Sequence, residues 1–440
     1  MAAGRLTRVG VAGGRRSSLR RDDRPIGART HRRQHATVTF RPQLAAVLLV
    51  VVVSACATQS GSPPASDSAD APSVAASPSA SVTLEGPQLE PAVGRAWFGM
   101  NLDWGSRTVA EVSDDMGVTP AVWVQFVRFP LDDAARQHLT GFFEQVGAAG
   151  AHGLLTLEPH DGLDAVTRAA ADELAAVLDA AWAEHGVATF VRFAHEMNGS
   201  WYPWGQQPDA YVDAFRLVAD ALRSRAPASA MIWAPNDGAG YPFTGGQFGA
   251  TPESGGFASL DTDGDGALTR DDDPYAPYWP GDDVVDWVGM SLYFWGLDYP
   301  WGENEVPAPG RFAAQLTGVP TGAHDDEVVV PNFYATYAEG HDKPMAITET
   351  AAFFDPAGRG PTEAEVKSAW FRQVFSVETR DRFERVGMVN WFEWHKHEPE
   401  VGREIDWRLT ADPSLARALL DEVPGGWLAF APIGGDQPGD

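Results

Sequence analysis

From Arg95 onward the chain alternates two hydrophobic patterns. One is a short, nearly continuous apolar run: Ala96–Leu102, Ala121–Val127, Gly153–Glu158, Ala188–Glu196, Ala230–Pro235, Val284–Tyr293, Pro344–Glu349 and Val386–Trp394. Runs of this kind fit strands buried on both faces, as in a parallel sheet. The other pattern is amphipathic, over Asp132–Ala149, Asp164–His185, Pro208–Arg225 and Thr362–Arg382. Within Asp172–Ala183, for example, Leu174, Val177, Leu178 and Ala181 recur at helical spacing. Strands alternating with helices place the chain in the α/β class, and eight of them predict a closed (β/α)8 TIM barrel. An open doubly wound sheet is the competing architecture. No glycine-rich phosphate loop follows the first run, which argues against its nucleotide-binding form.

Barrel chemistry gathers at the C-terminal ends of the strands. Two acidic residues stand at such ends: Glu196, in Arg192-Phe-Ala-His195-Glu196-Met-Asn-Gly-Ser-Trp201, and Glu349, in Lys343-Pro-Met-Ala-Ile-Thr-Glu349. Strand periodicity puts Arg192, Ala194 and Glu196 on one face, and Met345, Ile347 and Glu349 on one face. Both sets are expected to point inward, with His195 where the strand bends away. A lone strand-end glutamate reads as an ion-pair partner, and Arg192 would supply the pair. Two of them, opposed across a cleft, are what cleavage of a glycosidic bond requires.

The motifs around these glutamates resemble glycoside hydrolase family 26, of the clan of retaining (β/α)8 glycosidases, and the likeness runs over residues 95–420. Arg192 to Trp204 looks like the acid/base segment, with His195 where most of the clan has Asn. Ile347-Thr348-Glu349-Thr350 looks like the nucleophile strand. Val288 to Tyr293 resembles the sixth strand, whose tyrosine touches the nucleophile, and Asn390-Trp391-Phe392 resembles the eighth, with its tryptophan platform. The resemblance implies Glu196 as acid/base and Glu349 as nucleophile. It also implies substrate contacts from Tyr293 and Trp391. Arg192, His195, Trp201 and His160 join the candidate binding residues, with His195 expected to orient Glu196 or a sugar hydroxyl by a hydrogen bond. Sixteen tryptophans, none before Trp97, supply core and sugar platforms alike.

After the fifth run, Asp261-Thr-Asp263-Gly-Asp265-Gly266-Ala267 and Asp272 follow EF-hand loop spacing. Asp261, Asp263, Asp265 and Asp272 would bind Ca2+ through carboxylates and Ala267 through its carbonyl. The competing reading is a solvated acidic turn. With Gly255-Gly256 just upstream and no good helix, a bound calcium would be a structural clasp. No cofactor is expected for catalysis.

The amino terminus carries a different signal. Leu44–Ala55 is an apolar run suited to a signal peptide, and Val53-Ser-Ala-Cys56 resembles a bacterial lipobox. Cys56, the sole cysteine, is the expected lipidation site. Residues 56–91 then read as a Ser/Ala/Pro tether, 92–432 as the catalytic domain and 433–440 as a tail. Residues 1–55 hold eleven arginines against Asp22 and Asp23, a net of +9, which leaves −36 for residues 56–440 out of the chain's −27. That acidic body would repel nucleic acid and anionic surfaces but not a neutral polymer. The expectation is a lipid-anchored, extracytoplasmic bacterial monomer that hydrolyses a β-linked polysaccharide in endo fashion. β-1,4-mannan is the first choice, with mixed-linkage β-glucan or β-1,3-xylan next. A non-catalytic carbohydrate-binding lipoprotein is the alternative from another class.

Overall fold

The computed structural model describes residues 89–299, 301–321 and 328–434. The apolar run 44–55, Cys56, most of the Ser/Ala/Pro stretch and the end of the tail lie outside those residues. No helix among the described residues is long and apolar enough to cross a membrane.

Eight strands form the barrel: β1 (Ala96–Leu102), β2 (Val122–Arg128), β3 (His152–Glu158), β4 (Thr189–Phe193), β5 (Ser229–Trp233), β6 (Trp287–Ser291), β7 (Met345–Thr350) and β8 (Val386–Glu393). Each pairs in parallel with its sequence neighbours. β1 also pairs with β8, from Trp97 opposite Met388 to Leu102 opposite Glu393, and this contact closes the barrel. β8 runs on into a hairpin of β9 (His395–Glu398) and β10 (Arg403–Asp406), at the end of the barrel where the strands finish. A last short strand, β11 (Leu428–Ala429), pairs with the start of β1.

The helices form where the amphipathic pattern predicts them. Arg168–His185 is capped by the Thr167 side chain and ends at Gly186, whose φ of 68° is left-handed. It buries Leu174, Leu178 and Ala181 against the sheet. Helix Glu363–Val374 starts with a reciprocal capping box between Thr362 and Glu365.

Alternation along the strands produces two cores. Val122, Val124, Leu154, Phe190, Ile232, Ala346 and Met388 fill the barrel interior, while the opposite faces pack under the helices. Trp97, His152, Phe190 and Trp287 close the bottom as an aromatic plug, with the Trp97 and Trp287 rings stacked 6.1 Å apart. Burial pushes the His152 pKa down to about 4, so this histidine packs as a neutral ring. Glycines admit bulk elsewhere inside. A Cβ on Gly99 would stand 1.9 Å from Asn390 Oδ1, and one on Gly289 would meet the Thr348 methyl at 2.8 Å.

Candidate active site

β4 carries Arg192 inward, fully buried, as its periodicity predicts. The guanidinium Nη1 pairs with Glu349 Oε1, and Nη2 donates to Ser291 Oγ at 2.7 Å. Tyr293 donates its hydroxyl to Glu349 Oε2 at 2.5 Å. Glu349 is therefore held on both oxygens by donors, an arrangement that favours a carboxylate.

Glu349 does not reach this position by simple alternation. Met345 and Ile347, expected to share its inward face, pack outward under the helices. Ala346 and Thr348 are the inward residues. The pairing then shifts register: Ile347 lies opposite Met290, but Glu349 lies opposite Ser291. Against β8 the slip falls between Ile347 and Thr350. One extra residue in β7 turns Glu349 back toward the barrel axis.

Glu196 also departs from the strand pattern. β4 ends at Phe193, and both Ala194 (φ 45°) and Glu196 (φ 53°) are left-handed, a conformation that costs a non-glycine residue free energy. The Glu196 N–H donates to Ala234 O at 3.0 Å, which ties this turn to the end of β5. Asn198 fastens it further. Its amide donates to Asn236 O and its side-chain oxygen accepts from Asn236 N, both at 2.9 Å. Trp201 Nε1 donates to Glu196 Oε2 at 3.0 Å. Desolvation raises the Glu196 pKa, and the nearby Glu349 charge raises it further against the opposing pull of Arg192. One carboxyl of the pair is thus biased toward its acid form, while the other is gripped on both oxygens by Arg192 and Tyr293.

Both glutamates open onto one cleft of about 470 Å³, walled by Trp201 and Phe243 on one side and by Phe392, Trp394 and the β9–β10 hairpin on the other. His195 lines it too, but as a buried neutral ring. Burial, aided by the Arg192 charge, holds its pKa well below the usual range. The expected hydrogen bond from His195 to Glu196 is not made; Nε2 instead meets Tyr202 Oη at 3.2 Å, and the ring packs against Tyr202 and Trp204. His160 does not reach the cleft lining. It sits on the rim 3.4 Å from Glu158 and against Trp204.

Trp391 requires a correction. Its neighbours Asn390 and Phe392 face inward, so alternation turns the indole outward. It is fully buried against Phe371, with Nε1 donating to Trp407 O at 2.9 Å. It is a core residue, and Phe392 and Trp394 take the place expected of it at the cleft.

Sequence reasoning missed Ser291, Glu158, Asn198 and Trp407. Inward position near a strand end marks Ser291 and Glu158. Nothing local marks Trp407, which arrives from beyond the hairpin.

In the insert after β5, Asp261, Asp263 and Asp265 bring one carboxylate oxygen each within 4.8 Å of one another. Gly264 and Gly266 take left-handed φ of 74° and 85°, and Gly266 N–H donates to Asp261 Oδ2 at 2.9 Å. The Ala267 N–H donates to Asp265 Oδ1 at 2.8 Å. A backbone N–H from Asp265 pulls the Asp263 carboxyl down, yet burial and the surrounding carboxylates leave it above its ordinary value. Asp272 stands apart from the trio. It is buried, and its oxygens accept from the N–H groups of Thr262 and Thr269, closing the loop through the backbone.

Residues 151–248, which carry Arg192, His195 and Glu196, match the model of glycosyl hydrolase family 26. Over those residues the chain is similar to that family. Among curated relatives, Endoglucanase H of Acetivibrio thermocellus is 23% identical over 252 residues, covering 55% of this chain and 21% of the relative. Beta-1,3-xylanase TXYA of Vibrio sp is 26% identical over 220 residues, covering 46% of this chain and 35% of the relative. The chain thus matches about a fifth to a third of the length of these relatives. A Cellulomonas fimi endo-beta-1,4-mannanase double mutant of known structure is similar at a TM-score of 0.49 and 17% identity, covering 77% of this chain and 73% of that one.

Proposed function

We propose that this protein is a family 26 retaining endo-β-glycanase, with β-1,4-mannan as its first-choice substrate. The carrying observation is the pair Glu196 and Glu349 on one cleft in opposite electrostatic settings. Glu349, held on both oxygens by Arg192 and Tyr293, attacks the anomeric carbon. Glu196 gives its proton to the departing sugar oxygen as the glycosidic bond breaks. A glycosyl ester on Glu349 results. Water then attacks the same carbon, Glu196 takes its proton, and Glu349 leaves as a carboxylate.

Trp201 supports a sugar platform beside the acid, since its indole is partly exposed and fixed by its bond to Glu196. Arg192, Tyr293 and His195 shape the floor. The names of the two curated relatives keep β-glucan and β-1,3-xylan as the next substrates to try. A polysaccharide panel with product sizing and anomer analysis by NMR tests the reading. Internal cleavage of mannan with β-configured first product supports it. Binding without release of reducing ends, unchanged in Glu349→Ala, would leave a carbohydrate-binding protein instead.

Two further proposals accompany this one. Three close carboxylates suit a divalent cation, and we assign Ca2+ to Asp261, Asp263 and Asp265 as a structural ion. The sequence Val53-Ser-Ala-Cys56 supports a lipid anchor outside the cytoplasm, on a protein acting as a monomer. Loss of radiolabelled palmitate incorporation in Cys56→Ser cells tests the anchor.

A further inference from the structure

His195 and Tyr202 stand beside the reacting carboxyls, and the two-step reaction gives their polar atoms no task. Both residues line the catalytic cleft. The Tyr202 ring is fixed in direction: it stacks on Trp204 at 4.4 Å and 13°, and meets Trp201 at 6.2 Å and 68°. His195 is fixed as well. Its ring packs against Phe126 and Trp204, and its carbonyl accepts from Trp204 Nε1 at 2.8 Å.

What this pair can do depends on which ring nitrogen of His195 carries the proton. Burial and the Arg192 charge keep the ring neutral, so it has one N–H. Nε2 lies 3.2 Å from Tyr202 Oη. Nδ1 is buried and meets no hydrogen-bond partner. A proton on Nδ1 would be a donor sealed from water and unmatched, at the full cost of its desolvation. Among buried backbone groups, orphaned N–H donors are rarer than under-satisfied acceptors, and the same electrostatics apply to a ring nitrogen. The proton therefore sits on Nε2, which donates to Tyr202 Oη.

That donation leaves the Tyr202 O–H free to point elsewhere. Among the described residues, His195 is the hydrogen-bond partner of this hydroxyl. The acidic groups around it are engaged by others: Glu158 by His160, Glu196 by Trp201, and Glu349 by Arg192 and Tyr293. Burial first, then the charges of Glu196, Glu349 and Glu158, push the Tyr202 pKa well above its usual range, so the hydroxyl keeps its proton at neutral pH. The same charges show that it lies in the field of both reacting carboxyls. A sugar in the cleft presents hydroxyl oxygens as acceptors.

We infer that His195 donates its Nε2 proton to the Tyr202 oxygen and so aims the Tyr202 O–H at one hydroxyl of the sugar bound beside Glu196 and Glu349. Tyr202 is then a specificity-determining contact and His195 the residue that positions it. A donor held this way rejects a sugar that lacks the hydroxyl or turns it aside. The inference rests on the glycanase reading and deepens that same site.

Nitrogen-15 NMR of histidine-labelled wild-type protein reads the tautomer, the His195 signals being assigned by their loss in His195→Gln. Protonation at Nε2 is expected, and protonation at Nδ1 overturns the inference. Tyr202→Phe removes only the hydroxyl, with circular dichroism and thermal melting as checks on its fold. The rate measurement is kcat/KM on whichever β-1,4-mannan, mixed-linkage β-glucan or β-1,3-xylan oligosaccharide the wild type cleaves, and on its monodeoxy analogues. Tyr202→Phe should lose about fivefold or more on the parent sugar. One deoxy position should cost the wild type a similar factor and the variant less than about twofold, because the contact is already gone. An equal loss in Tyr202→Phe on the parent and every analogue would make the hydroxyl merely structural, and no loss would mean that it meets no sugar; either overturns the inference. Should Tyr202→Phe not fold, the His195 Nε2 signal of Glu349→Gln, which cannot turn the sugar over, decides. A shift on adding the parent but not one of the analogues upholds the inference, and a shift with all or with none overturns it. If the wild type cleaves none of the three sugars, the glycanase reading fails by itself. Calorimetric binding of the same oligosaccharides then decides, weaker binding by Tyr202→Phe upholding the contact and equal or no binding overturning it.

Discussion

Glu196 combines a strained backbone with a disfavoured charge. Its φ of 53° and raised pKa both cost stability at neutral pH. For a carboxyl whose folded pKa is raised, the penalty is absent below the unfolded pKa and complete once pH passes the folded one. Glu196→Gln should therefore raise the melting temperature at neutral pH, with the gain disappearing in acid. The same substitution should remove activity on unactivated glycans, and wild-type kcat/KM should fall as pH rises through the raised Glu196 pKa. A pH series of melting curves beside a rate profile measures both. The two tryptophans named from sequence should behave in opposite ways. Trp201→Ala should lower kcat/KM by about tenfold or more with little change in melting, as expected for a lost stacking contact. Trp391→Ala should cost about 3–5 kcal/mol in denaturant unfolding, as large-to-small core changes do. Both indoles stand near strand ends in the sequence, and only the alternation seen in β8 separates them.

At the scale of elements, the strands and helices were legible because apolar runs and amphipathic stretches alternate so regularly. β1 has the predicted bounds, and each of the other seven barrel strands differs from prediction at one end or both. β4 was predicted to reach Glu196 and stops at Phe193, because residues 194–196 leave extended geometry to aim the carboxyl into the cleft. β7 is the more instructive departure. A two-residue period places Glu349 with Met345 and Ile347, outward as it turns out, and the register slip restores it to the interior. Deleting Thr348 should remove the extra residue and set Glu349 directly after the outward Ile347, still inward and opposite Ser291, so part of the activity should survive. Restored activity in Glu349→Gly with added azide would report a nucleophile correctly placed in the intact strand. The same rescue should persist when Thr348 is also missing.

At the scale of the whole molecule, the barrel gathers Arg192, Ser291, Tyr293 and Glu349 from three strands or their ends, and Trp407 from beyond a hairpin. The acidic loop hangs from the same rim, between β5 and β6. If Asp261, Asp263 and Asp265 hold calcium, chelation should lower the melting temperature, and Asp263→Asn should lower it and remove the sensitivity to chelator. Ion binding to the folded state stabilises by mass action, so the shift should grow with calcium concentration. A melting temperature indifferent to calcium and chelator would return the loop to an acidic turn. The strong negative charge of residues 56–440 adds a constraint on substrate: anionic glycans should be cleaved poorly at low salt, and less poorly as salt is raised.

The sequence by itself determined the (β/α)8 order, the barrel's C-terminal rim as the place of chemistry, and Glu196 and Glu349 as its candidate pair. Those features follow from periodicity and residue type, which are local properties of a chain. Only the tertiary structure decided which way side chains face where the period breaks. It buried Trp391, engaged His195 with Tyr202, and turned Glu349 inward. Each of these depends on register or on a neighbour distant in sequence, and closure of the barrel is what brings such neighbours within contact distance.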